Sequence, residues 1–166
     1  MKIYLLGMPG SGKSTIGKML ASYLGLSFID MDMEIETETG KSIKEIFEKK
    51  GEKHFRFLEK QLLQMLAGKD SIVVATGGGV PIHNNNMKLI NETGISVYLK
   101  ASIEQLQSNL EESYSARPLL QKKNLKDSLM QLLTEREEVY SKSRYIIQVS
   151  EDPKSTVREI VEIFKN

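Results

Sequence analysis

The sequence predicts an α/β fold in three layers, a parallel sheet covered by helices on both faces. Three observations carry that prediction. Short apolar runs at 3–6, 27–30, 72–75, 95–99 and 145–149 are rich in Ile, Val, Leu and Tyr and do not alternate with polar residues. That is the pattern of strands buried on both sides. Stretches of helical period separate them at 13–24, 42–50, 52–66, 85–93, 102–112, 125–140 and 153–164, so strand and helix alternate along the whole chain. Finally, the first strand meets the first helix in a glycine-rich loop of a type that binds phosphate.

That loop is Gly7-Met8-Pro9-Gly10-Ser11-Gly12-Lys13-Ser14, a full match to G-x-x-x-x-G-K-[ST] with a strand before it and a helix after it. Gly10, Ser11, Gly12, Lys13, Ser14 and Thr15 are the expected ATP contacts. The glycines let successive N–H groups turn inward around an anion, and the helix adds its positive N-terminal end. Lys13 reaches the β- and γ-phosphates, and the Ser14 hydroxyl is a ligand for Mg²⁺. Past the second strand stands Asp30-Met31-Asp32. Read as an extended segment, it sends both carboxylates to one side, one for a magnesium-bound water and the other for a substrate hydroxyl. The competing reading is a pair of acids at a helix N-terminus.

The helix at 52–66 carries Arg56 with Glu52 at i−4 and Glu59 at i+3, a spacing that can fix a guanidinium in one rotamer; taken by itself, that spacing favours an ordinary exposed ion pair. The third strand ends in Thr76 and then Gly77-Gly78-Gly79. Three glycines are costly in chain entropy and make sense where a ligand approaches the backbone closely, at the carboxyl end of the sheet. Residues 113–124 are polar and aperiodic and are expected to form a mobile loop. In the helix at 125–140, Leu125, Leu129, Leu132, Leu133 and Tyr140 mark the inward face, and Arg136 falls on that face. Arg56 and Arg136 together can grip a carboxylate by forked hydrogen bonds. His54, His83 and the methionines are read as structural or surface residues.

Length and composition narrow the function classes. The chain has 166 residues, the size of one domain, with 23 basic and 22 acidic side chains and a formal net charge of +1. No nucleic-acid or membrane surface is expected as a partner. There is no Cys, which removes disulfides, zinc thiolates and thiol catalysis. Only four apolar residues follow Lys2 before Gly7, too few for a secretory core. A cytoplasmic, monomeric protein is the expectation.

With these residues in view, the chain resembles the shikimate kinase family along its whole length. The resemblance rests on the P-loop, Asp30-x-Asp32, Phe47-x-x-x-Gly51-Glu52-x-x-Phe55-Arg56-x-x-Glu59, the glycine triplet, Arg117-Pro118-Leu119-Leu120 and Arg136-x-x-x-Tyr140. It implies a five-stranded sheet ordered 2-3-1-4-5, one domain over 1–166, a shikimate-binding region at about 31–60 and a lid at about 113–124. It also implies transfer of phosphate from ATP–Mg²⁺ to the 3-hydroxyl of shikimate, on the way to chorismate and aromatic amino acids. By position, Lys13, Asp32 and Arg117 would be catalytic, with Arg117 swinging onto the phosphates. Ser14 and Asp30 would serve the metal. Arg56 and Arg136 would clamp the substrate carboxylate, Gly77, Gly78 and Gly79 would meet the substrate through their backbone, and Phe47 and Phe55 would wall its pocket. One departure stands out: the stretch before the lid, 106–111, has no Arg or Lys to stack on adenine. That leaves the base to Arg117 and the loop before Pro153. A gluconate or nucleotide kinase shares the P-loop and lid, and a catalytically silent nucleotide-binding module is the alternative from another class.

Overall fold

In a computed structural model describing residues 1–111 and 124–165, the first strand, β1 (Lys2–Leu6), lies in the middle of a five-stranded parallel sheet. It is flanked by β3 (Ile72–Ala75) and β4 (Ile95–Lys100), with β2 (Ser27–Asp30) outside β3 and β5 (Tyr145–Gln148) outside β4. The order 2-3-1-4-5 is the expected one. Strand side chains alternate across the sheet, and β1 divides the core accordingly. Ile3 and Leu5 face a layer built by Ile16 and Leu20 of α1 (Lys13–Leu24) and Val157, Ile160 and Val161 of α8 (Pro153–Lys165). Tyr4 and Leu6 face the other layer. Its helices are α2 (Met31–Thr39), α3 (Ile43–Lys50), α4 (Glu52–Ala67), α5 (Asn86–Thr93), α6 (Ile103–Glu111) and α7 (Leu125–Tyr140).

Two expectations needed correction. β1 and β3 are buried at every position, but β2 and β5 are not. They are the sheet's edges, and an apolar run alone does not distinguish an edge strand from a central one. The second is α2, read from sequence as extended at its start. Its apolar signal is thin, since only Met31 and Ile35 are buried. Its termini are well marked: Asp30 caps it, Asp32 and Glu34 lie in its first turn, and Gly40 closes it in the left-handed region at φ 65°. The Ser42–Glu45 capping box starts α3.

The register fixes the location of a site. Leu5 of β1 and Asp30 of β2 both pair with Ala75 of β3. The loops leaving these three strands therefore emerge level with one another, at the carboxyl edge where the chain switches direction about β1. The P-loop, Asp30 and the glycine triplet all sit there.

Candidate active site

A cleft of about 680 Å³ opens at that edge, lined by the P-loop from Gly10 to Ile16, Asp30, Asp32, Thr76 and Gly78. The phosphate loop and the carboxylates read from sequence thus share one cavity. Gly7, Gly10 and Gly12 have φ of 146°, 82° and 86°, a backbone that L-residues with side chains rarely adopt. Lys13 folds back over the loop, its Nζ donating to the carbonyls of Gly7 and Met8, each at 2.9 Å.

Asp30 performs two tasks. Its Oδ1 accepts the N–H groups of Asp32 and Met33 at 3.1 and 3.2 Å, capping α2. Its Oδ2 accepts the Ser14 hydroxyl. The N-cap reading holds and the extended geometry does not: Asp32 reaches the cleft from the first turn of a helix. Ser14 and Asp30 supply one hydroxyl and one carboxylate, hard oxygen donors that suit an ion which keeps several waters and takes the rest of its shell from phosphates. No cluster of three or more His, Cys, Asp or Glu that could hold a metal is found among the described residues.

The acceptor side is built around the glycine triplet. None of its residues has a positive φ, so conformational freedom is not what excludes side chains there. Space is. A Cβ on Gly77 would lie 2.8 Å from Asp32 Oδ1 and 3.0 Å from Glu59 Oε1. On Gly78 it would lie 2.9 Å from Arg136 Nη1, and on Gly79 2.3 Å from Arg56 Nη1. Two guanidiniums and two carboxylates thus converge on three consecutive backbone units. Arg56 is 8% exposed and Glu59 1%; they pair at 2.6 Å, with Glu52 at 3.3 Å on the other arm. The i+3 pair with Glu59 is therefore buried and not an ordinary surface pair, whereas Glu52 at i−4 is exposed. The Arg56 guanidinium also lies 5.4 Å over the Phe55 ring, which packs against Phe47 at 5.0 Å. Arg136 is 5% exposed, and no ion pair to it is found among the described residues. It lines a second hollow of about 420 Å³ with Glu52, His83, Ser128 and Glu135. His83 is partly buried, and burial and the nearby Arg56 guanidinium hold its imidazole below the usual range.

Glu59 is strained electrostatically. Burial pushes its carboxyl up to about 7 against the pull of Arg56, and its Oε1 has no hydrogen-bond partner. With the folded value above the ordinary 4.5, the folded protein retains a proton that the unfolded chain has released. The stability from this group is complete below about pH 4.5 and is lost as pH rises through about 7. Urea unfolding of the wild type and of Glu59→Gln at several pH values should show the wild type losing stability relative to the variant across that window. Parallel curves would refute the assignment.

The far end of the large cleft is lined by Glu104, Gln105, Ser108 and Asn109 of α6 and by Val149, Ser150, Glu151 and Pro153. The segment before Pro153 is where sequence placed the base. The stretch 106–111, which lacks a basic residue, has a different use. Leu106 and Leu110 are buried, a Cβ on Gly10 would meet Leu110 Cγ at 2.8 Å, and Asn109 Nδ2 donates to the Gly10 carbonyl at 2.8 Å. α6 buttresses the P-loop, a role that no sequence motif announced. Arg117 and the expected lid at 113–124 lie outside the described residues, apart from Asn124. Among the described residues no helix is long and apolar enough to cross a membrane.

Known proteins share this fold and much of this sequence. The family model described as shikimate kinase matches residues 9–165. A shikimate kinase of Persephonella marina is 42% identical over 161 residues, covering 97% of this chain and 95% of its own. One from Clostridium botulinum (strain Alaska E43 / Type E3) is 38% identical over 99% of this chain and 94% of its own. Among solved structures, shikimate kinase from Acinetobacter baumannii in complex with shikimate superposes with a TM-score of 0.94 at 36% identity, covering 98% of this chain and 92% of that one. A gluconokinase from Sinorhizobium meliloti reaches a TM-score of 0.61 at 18% identity over 97% of this chain and 89% of its own, a likeness of fold alone.

Proposed function

The chain belongs to the shikimate kinase family and phosphorylates the 3-hydroxyl of shikimate with ATP, a step toward chorismate; from that premise we propose how its residues divide the work. One observation carries the reading: Arg136, buried and without an ion pair among the described residues, converges with Arg56 on Gly78 and Gly79. Buried charge is seldom left uncompensated, and a substrate carboxylate held by two guanidiniums supplies the missing anion. The Phe47–Phe55 pair beside Arg56, its rings tilted 48° to one another, offers an apolar wall. Such a wall suits a cyclohexene ring better than the open polyol chain of gluconate.

In this reading Lys13 neutralises charge on the transferring phosphate. Ser14 and, through water, Asp30 would hold Mg²⁺, which would supply charge neutralisation of the phosphates. Asp32 orients the 3-hydroxyl and accepts its proton, and the Gly78–Gly79 backbone meets the substrate. Arg117 is assigned to the transferred phosphate by its motif. The protein works as a cytoplasmic monomer. Coupled ADP release with shikimate, gluconate and AMP, each with and without excess chelator, tests the assignment. Turnover should require shikimate and Mg²⁺. Equal or greater turnover on gluconate or AMP would overturn the acceptor site, and turnover untouched by chelation would overturn the metal.

A further inference from the structure

We propose that Tyr140 is a positioning residue of the acceptor site: its buried hydroxyl holds the Gly78 carbonyl and thereby aims the Gly79 amide at the substrate. This rests on the reading that the glycine backbone faces shikimate. Tyr140 closes α7, is 0% exposed, and donates to Gly78 O at 2.6 Å across 62 residues of chain. A buried phenol needs a partner; this one reaches across to a loop.

The loop needs such a fastener. Glycines at 77–79 are imposed by the close approach of Asp32, Glu59, Arg136 and Arg56, and a glycine peptide reorients at little steric cost. The Gly77 carbonyl is fixed by Val80 N–H at 3.0 Å and the Gly79 carbonyl by Ile82 N–H at 3.1 Å. Tyr140 fixes the remaining one. The 78–79 peptide is trans, so its N–H points opposite to its C=O, and holding the oxygen sets the direction of the Gly79 N–H. No hydrogen bond of the Gly78 or Gly79 amide is found among the described residues.

Tyr140 is itself held in place. Its ring packs 5.1 Å from Tyr98. Glu137, one turn earlier on α7, accepts from Tyr98 Oη and Lys100 Nζ, each at 2.7 Å, and ties α7 to β4. Burial raises the Tyr140 phenol above its ordinary range, so it stays protonated and able to donate. Arg136 interacts with the same hydroxyl from one turn earlier, so one oxygen joins a clamp residue to the glycine loop.

The test is Tyr140→Phe, with Tyr4→Phe as a matched control that removes another buried tyrosine hydroxyl, one paired with Thr93 and away from the glycine loop. For Tyr140→Phe the KM for shikimate should rise roughly tenfold, the scale of one well-made hydrogen bond, with the KM for ATP unchanged; Tyr4→Phe should raise neither. A merely structural hydroxyl would move both variants alike. A second readout needs no substitution. Only Gly78 and Gly79 follow a glycine, so carbonyl-¹³C, ¹⁵N-glycine labelling identifies their amides by NMR. Shikimate should shift the Gly79 amide of the wild type far more than those of Gly25 and Gly40 at helix ends. An unmoved Gly79 amide, a normal KM in Tyr140→Phe, or equal effects in both phenylalanine variants would overturn the proposal. If Arg136→Ala also bound shikimate normally, the acceptor-site reading itself would have failed; if Arg136→Ala lost binding and Tyr140→Phe did not, only the role of Tyr140 would fall.

Discussion

Asp32→Asn is expected to bind ATP and shikimate nearly as the wild type does and to lower kcat by roughly 10²–10⁴-fold, the usual contribution of a positioned proton acceptor. The substitution keeps the shape of the side chain and one oxygen acceptor, so it leaves the crowded contact with Gly77 intact. It removes the ability to take up the hydroxyl proton. It also removes one acidic residue from the first turn of α2, a loss of about 0.3–1 kcal/mol in stability, too small to unfold the protein. Steady-state kinetics with each substrate varied separates the outcomes. A kcat within tenfold of wild type would mean that Asp32 only orients the acceptor. A raised KM for shikimate at constant kcat would mean that it only binds.

The parts of this site that sequence made legible are those whose residue type and spacing are both dictated by local chemistry. The P-loop is one: the strand, the turn glycines and Lys13-Ser14 each have a single use, and the structure places them around one cleft. Arg56 with Glu52 and Glu59 is another, because i−4 and i+3 spacing on a helix fixes the contacts before tertiary structure is known. Arg136 was legible from its position on an otherwise apolar helix face. Illegible features depended on contacts across the chain. The identity of Asp30 and Asp32 was clear while their geometry was not, because a helix with two buried residues carries almost no periodic signal and was read through. The glycine triplet was read as room for a ligand. Its first demand is room for the protein's own Arg56, Arg136 and Asp32, which no local pattern could reveal. The buttress from Asn109 to Gly10, 99 residues apart, and the Tyr140 hydroxyl on Gly78 belong to the same class.

Arg136→Ala is expected to weaken shikimate binding by about 2–5 kcal/mol, some thirtyfold to several-thousandfold, while leaving ATP binding close to wild type. The size follows from burial. At 5% exposure the guanidinium is already stripped of most of its water, so its desolvation cost is met on folding and not on binding. The incoming carboxylate then gains a charge-assisted hydrogen bond in a low-dielectric site. The selectivity follows from position: Arg136 lines the smaller hollow with His83 and Glu52, whereas Lys13 and Ser14 line the larger cleft. The effect on folding should be opposite in sign or small, because the variant relieves a buried cation that has no ion pair among the described residues. Arg56 should behave differently. Its partner Glu59 is 1% exposed, and removing Arg56 strands that carboxylate. Arg56→Ala should therefore lose stability as well as substrate affinity, and Arg56→Lys, which keeps the charge and loses the fork, should recover stability before affinity. Calorimetric titration of shikimate and of ATP, paired with thermal melts of each variant, reads all of these at once. Unchanged shikimate affinity in Arg136→Ala would show that the two guanidiniums do not form a carboxylate clamp.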